Sequence, residues 1–287
     1  MKKILFATTA LVATASVAAA DVNFSGYGRF GVAYSGAAAS TDVTSRLRVN
    51  VDVSAESDGG VTFGARARMQ TGEGSAPNAF NGIRFTATSG SLTVATGNIG
   101  GALEFMPGQY PIDLGLTGLG YDYTAYNFRG DAYSSGGNGT SGSNGVEVMY
   151  SAGDFSAHVS ASDTSNRIAA HAAYTMSGWT LAVGTQSSDD AADTEMTFTV
   201  GGSIGEASVG LAYADNGTGG TRTVVSGGMN VGSATNVEAY FADDELLDTS
   251  AGIDFNHNLG GGTSLRGGVA SRFDGETYAD FGVRFNF

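Results

Sequence analysis

SRLRVNVDVSAESDGGVTFGARARMQ, residues 45–70, is two runs of strict alternation joined by a turn at Ser57–Gly60. In the first run Leu47, Val49, Val51 and Val53 share one face, and Arg46, Arg48, Asn50, Asp52 and Glu56 share the other. In the second run Val61, Phe63, Ala65, Ala67 and Met69 oppose Thr62, Arg66, Arg68 and Gln70. A period of two is the signature of a β-strand, whose successive side chains point to opposite faces. A soluble sandwich alternates as well, so the polar face decides the environment. Here it concentrates arginines, while the apolar face carries no charge over about nine to eleven residues, the length of a tilted membrane strand. Apolar outside and polar inside is the pattern of a transmembrane barrel.

The same alternation extends in both directions. Residues 22–35, VNFSGYGRFGVAYS, place Phe24, Phe30, Val32 and Tyr34 opposite Tyr27 and Arg29, and IRFTAT (83–88) puts Arg84 on the polar face. From Gly145 to Phe287 short alternating runs follow one another, separated in turn by small-residue turns and by longer acidic loops. The whole reads as about sixteen antiparallel strands, an even number as single-chain bacterial barrels require, with short connections on the periplasmic side and acidic ones outside. Aromatic residues at strand ends, Phe24, Phe155, Tyr174, Trp179, Phe285 and Phe287, suit the interfacial girdles of such a barrel.

The pattern stops between Asn98 and Asn144. A structureless stretch of that length inside a compact domain is functional or disordered rather than a simple connector, and it is expected to fold inward and narrow the lumen. Its first half carries packing residues such as Phe105, Met106, Tyr110, Leu114, Leu119, Tyr121, Tyr123 and Tyr126, and its second half, SSGGNGTSGSN, carries none.

At the other end of the chain, residues 1–20 have Lys2 and Lys3 before an apolar run ending in Ala18–Ala20, the form of a secretory signal. Residues 21–287 are then a single barrel domain. Without the signal the chain holds twelve arginines and no lysine against 28 acidic residues, a net charge of −16, which excludes binding to a nucleic acid backbone. There is no cysteine.

Parity places Arg29, Arg46, Arg48, Arg66, Arg68 and Arg84 inside the first four strands and Arg266, Arg272 and Arg284 inside the last two. Closing the barrel joins these sets into one basic wall. Glu104, Asp113, Asp122 and Asp131 of the irregular segment are expected to face that wall, giving a transverse field at the constriction. Some arginines should instead pair with inward carboxylates such as Asp52, Glu56 and Asp280 to fix strand register. The lumen arginines argue for anions and the net charge for cations; the balance points to a weak cation preference. Glu104, Asp113 and Asp122 are also candidate ligands for Ca²⁺, although their spacing fits no calcium loop. The glycines of the segment lack the strand-to-helix setting and the partners of a phosphate loop. Asp189, Asp190 and Asp193, and then Asp243, Asp244, Glu245 and Asp248, could bind divalent ions bridging to lipopolysaccharide. His158 and Ser160 share an inward face, but no motif fixes a nucleophile, and no enzyme activity is expected. An adhesin or structural anchor with a blocked lumen is the alternative to a channel.

SGYGRFGVAY from Ser25, the opening stretch from Ser45, TGNIGGALEF at the head of the irregular segment and YADFGVRFNF at the end resemble the general diffusion porins of Rhodobacter-type α-proteobacteria. The resemblance implies a sixteen-stranded, all-β transmembrane barrel in the outer membrane of a Gram-negative bacterium, assembled as a homotrimer, with a third outer loop folded inward. It also implies that Phe287 is the terminal signal read by the barrel assembly machinery. The inward loop has fewer carboxylates in its first half than the family pattern.

Overall fold

A computed structural model describes residues 20–72, 80–126, 131, 133 and 144–287. The expected signal, all but Ala20, and the SSGGNGTSGSN return of the irregular segment, all but Asn144, lie outside the described residues. The strands are β1 (Asp21–Ser35), β2 (Ser40–Glu56), β3 (Thr62–Gly72), β4 (Arg84–Ser89) and β5 (Leu92–Asn98). After the long loop come β6 (Asn144–Ala152), β7 (Phe155–Ser162), β8 (Ile168–Met176), β9 (Trp179–Ser187) and β10 (Glu195–Ile204). The last six are β11 (Ala207–Asp215), β12 (Thr221–Val231), β13 (Thr235–Asp244), β14 (Ser250–Gly260), β15 (Thr263–Ser271) and β16 (Thr277–Asn286). Each pairs antiparallel with its sequence neighbours, and β16 returns to β1 to close the barrel.

The barrel is apolar outside. Ile168, Val183, Val225, Phe241 and Ile253 are about half exposed, whereas the residues between them are small or polar and face inward. Closure removes the free sheet edge, so neighbouring strands satisfy each other's main chain, the condition for a sheet to cross a bilayer. Of the expected girdle residues, Phe24, Phe155, Tyr174, Phe285 and Phe287 are exposed, and Trp179 is half buried, with its ring over Gly202.

The core lies inside the barrel, between the inner wall and the loop after β5. Ile112, Leu114, Leu119, Tyr123 and Ala125 of the loop pack on Ala212, Ala214, Val224, Tyr240, Ala242 and Ala270. Ala102, Leu103 and Met106 pack on Ala169, Ala173 and Ala182. One strand start differs from the sequence reading: β2 begins at Ser40, because Ser40–Thr44 pair with the end of β1 although no apolar alternation marks them.

Candidate functional site

Strand register builds the basic wall. Arg284 of β16, Arg29 of β1 and Arg46 of β2 lie directly opposite one another in a single row, and Arg66 of β3 faces Arg84 of β4. Like charges placed directly across strands are destabilising, so the row needs relief from neighbours. Tyr27 supplies part of it: Arg46 donates to its hydroxyl at 3.4 Å, and Arg48 and Arg284 stand 5.2 and 4.4 Å from its ring centre. Arg48 Nε donates to Gln70 at 2.7 Å, and Arg68 Nε to Asn50 at 3.0 Å. Arg66 makes a two-pronged contact with Asp52 at 2.6 and 3.1 Å, the register pair expected for that carboxylate.

The other two register carboxylates behave differently. Glu56 makes no ion pair among the described residues, and Asp280 accepts no arginine. Asp280 instead takes the amides of Leu116 and Thr117 at 2.9 and 2.7 Å and the Thr117 hydroxyl at 2.6 Å. It belongs to a set of wall carboxylates aimed at loop amides. Glu238 accepts from Asp113 N–H at 3.0 Å, and Asp254 from Gly115 N–H at 2.7 Å. Glu147, fully buried, accepts from Gly100 and Gly101 N–H at 3.0 and 3.1 Å and from Arg84 Nε at 2.9 Å, and its second oxygen lies 2.8 Å from His158 Nε2. Carboxylates hydrogen-bonded to main-chain amides are among the stronger protein contacts. Four of them clamp the loop to the wall.

His158 and Ser160 belong to this clamp. The Ser160 hydroxyl accepts Ala102 N–H at 2.9 Å, and His171 Nδ1 meets Ala102 O at 2.6 Å, donating as the Nδ1–H tautomer. Neither histidine forms a nucleophile–base pair with Ser160.

The loop carboxylates depart from the expected array. Asp113 bonds Arg266 and Arg284 at 2.5 and 3.2 Å, Asp122 bonds Arg272 at 3.3 Å, and Asp131 bonds Arg167 at 2.7 Å. Three of the four acids are therefore spent on ion pairs that pin the loop, and three of the nine wall arginines are their partners. Asp113 keeps an exposed side chain beside its two arginines, and Glu104 makes no ion pair among the described residues. Its carboxylate accepts from the hydroxyls of Tyr110 and Tyr126 at 2.7 and 3.1 Å. Burial, the neighbouring phenol and Glu104 hold the Tyr110 hydroxyl well above its ordinary pKa; burial and then Glu104 do the same for Tyr126. Both remain neutral donors.

Glu104, Asp113 and Asp122, the candidate calcium ligands, go to three different sets of partners, and among the described residues no three acidic or histidine side chains could hold a metal. Asp244, read as part of an outer acidic cluster, is buried and bonds Arg222 at 2.8 Å.

A cavity of about 620 Å³ is lined by Arg48, Arg66, Arg68 and Arg84 of the wall, with Tyr133 against Arg68, and by Glu104, Phe105, Tyr110, Tyr121 and Tyr126 of the loop. Sequence reasoning missed Glu147, Glu238, Asp254, Arg167 and Arg222. The available signal was parity: Glu147, Glu238, Asp254 and Arg222 lie on the inward faces of strands, whereas Arg167 directly precedes β8.

Residues 7–277 match a family model described as a Gram-negative porin. A protein named porin from Fuscovulum blasticum is 31% identical, over 93% of this chain and all of its own length. Engineered variants of Rh. blastica porin share the fold. One superposes with a TM-score of 0.83 at 30% identity, and a triple mutant of the Rhodopseudomonas blastica porin with 0.83 at 29%. In both cases 93% of this chain and all of the other are covered.

Proposed function

The chain belongs to the Gram-negative porin family and forms a water-filled channel in the bacterial outer membrane, and from that premise we propose that its selectivity is set by a transverse field from the arginines of β1–β4 toward Glu104. The observation that carries this reading is the clamped loop: it occupies the lumen, yet leaves a cavity of about 620 Å³ between guanidiniums and Glu104. Such a field aligns the dipoles of small hydrophilic solutes, which pass, while an apolar solute must displace ordered water. Diffusion through it is passive and needs no catalytic group. The open lumen also favours a channel over a blocked anchor.

Counting the loop's own ion pairs changes the expected ion preference. With Asp113, Asp122 and Asp131 neutralised, and with Arg29 and Arg46 in no ion pair among the described residues, the constriction favours anions. In a planar bilayer separating unequal KCl solutions, the reversal potential should carry the sign of chloride preference, and the opposite sign would overturn this reading. Absence of stepwise, ohmic conductance would overturn the channel itself.

The partners follow from the outer surface. Lipid covers the apolar belt. β4 and β5 have six and seven residues, short of the roughly nine to eleven that span a bilayer, so this sector is the one a neighbouring barrel covers in a homotrimer. Exposed carboxylates on the outer loops, such as Asp193 and Asp248, suit divalent ions shared with lipopolysaccharide. Phe287 exchanges both main-chain hydrogen bonds with Gly26, at 2.8 and 3.1 Å, closing the seam. Its exposed ring is placed for the assembly machinery to read.

A further inference from the structure

The loop turns apolar side chains in two directions. Ile99, Leu103, Leu114 and Tyr123 are sealed against the wall at 1% exposure or less, whereas Phe105, Tyr110 and Tyr121 are 50, 42 and 47% exposed and line the cavity. The exposed rings are held firmly. Phe105 lies on Gly100, where a Cβ would come within 2.2 Å of the ring; it stands 5.5 Å from the His158 ring, and the Arg84 guanidinium is 5.5 Å from its centre. Tyr121 adopts φ +65°, in a run with Gly118, Leu119 and Gly120 that is left-handed throughout. A bulky residue with positive φ is a true outlier, and such strain persists where the surroundings impose it, commonly at ligand sites. Tyr121 rests over Gly118 and meets Tyr110 edge-on at 6.4 Å.

Exposed rings held in place on the loop offer a stacking surface to a flat solute. Facing them are guanidiniums, whose planar fork binds carboxylates by two parallel hydrogen bonds. Arg66 and Arg84 each use two of their five donors within the wall and leave others for a solute. The cavity volume falls within the range of about 300–1,000 Å³ typical of small-molecule sites. We infer that the constriction is a binding site for small aromatic carboxylates, with the carboxylate on the arginine wall and the ring stacked on Phe105 and Tyr121. This rests on the channel reading and adds a solute class to it.

The test is single-channel current in KCl at pH 7 with benzoate, cyclohexanecarboxylate or benzyl alcohol added. Benzoate should reduce the current at a half-blocking concentration roughly threefold or more below that of cyclohexanecarboxylate, the margin a ring-on-ring contact supplies, and benzyl alcohol should have no effect. The F105L/Y121L variant should erase the difference between the two acids, and F105W should keep it. Equal blocking by the two acids in the native protein, or unchanged discrimination in F105L/Y121L, would overturn the site. A channel that conducts KCl but ignores benzoate would sink this inference alone, and a chain that conducts nothing would sink the channel reading beneath it.

Discussion

Glu147 shows what a single inward carboxylate does in this molecule. It is fully buried and accepts three donors, two from the loop main chain and one from Arg84, with His158 Nε2 at 2.8 Å beside it. Replacing it by glutamine removes the charge that Arg84 and His158 face and puts amide hydrogens where acceptors are needed. Breaking one side of a buried pair costs about 3–5 kcal/mol, so E147Q should lower the thermal unfolding temperature of the purified protein markedly, and an unchanged value would show that the cluster does not hold the loop. The Glu104 clamp behaves differently with pH. Tyr110 and Tyr126 are raised above the ordinary phenol value of about 10, so their contribution is complete below that pH and is lost only on climbing past it. Single-channel noise from the loop should stay level from about pH 8.5 to 9.5 and rise in strong alkali; a transition inside that window would contradict the phenol assignment. Parity was the handle that the sequence offered on the wall arginines, and Arg272, read as part of a strand, lies one residue past β15. Parity could not pair Asp113 with Arg266, 153 positions away, because that depends on the path of a loop with no period to read.

The loop is held as an element by the shape of the wall as much as by charge. Gly184 of β9 leaves room for Leu103 and Met106: a Cβ there would come within 2.5 Å of the Leu103 side chain and 2.7 Å of the Met106 sulfur. Gly31 of β1 and Gly282 of β16 face each other and make the seat of Leu116. These strand glycines are close-approach positions for side chains, a role that a sequence reading of glycine as a turn former does not reveal. G184V should push the loop off its seat while leaving the barrel ladder intact. The expected result is a larger conductance and faster liposome swelling with larger sugars, and a native exclusion limit in G184V would show that the seat is dispensable. The ends of the loop were legible in sequence to within one residue, since Asn98 and Asn144, read as its first and last residues, end β5 and start β6, and apolar alternation ceases where the membrane wall is interrupted. The start of β2 was not. With 17 residues that strand outruns the roughly nine to eleven a bilayer requires, and beyond the apolar belt nothing enforces hydrophobic alternation.

At the scale of the whole molecule, the wall is uneven in height. β1 and β2 have 15 and 17 residues and β12 has 11, whereas β4 and β5 have six and seven. A low sector with Phe85, Leu92 and Val94 exposed on its outer face would leave lipid thinned against it, at a cost for every ångström of mismatch. Three barrels meeting at their low sectors remove that cost, because each is then lined by protein. The chain has no cysteine, so single thiols can report on this directly. Phe85→Cys on β4 and Val183→Cys on β9 are both outward and about half exposed, and they differ in whether protein or lipid is expected beside them. Treated in outer membranes with a flexible bis-maleimide, Phe85→Cys should give bands of more than one chain and Val183→Cys should not. Cross-linking at Val183 alone would move the interface to the opposite side of the barrel. Cross-linking at neither position would mean that lipid covers both faces and that the short strands are accommodated by a thinner bilayer.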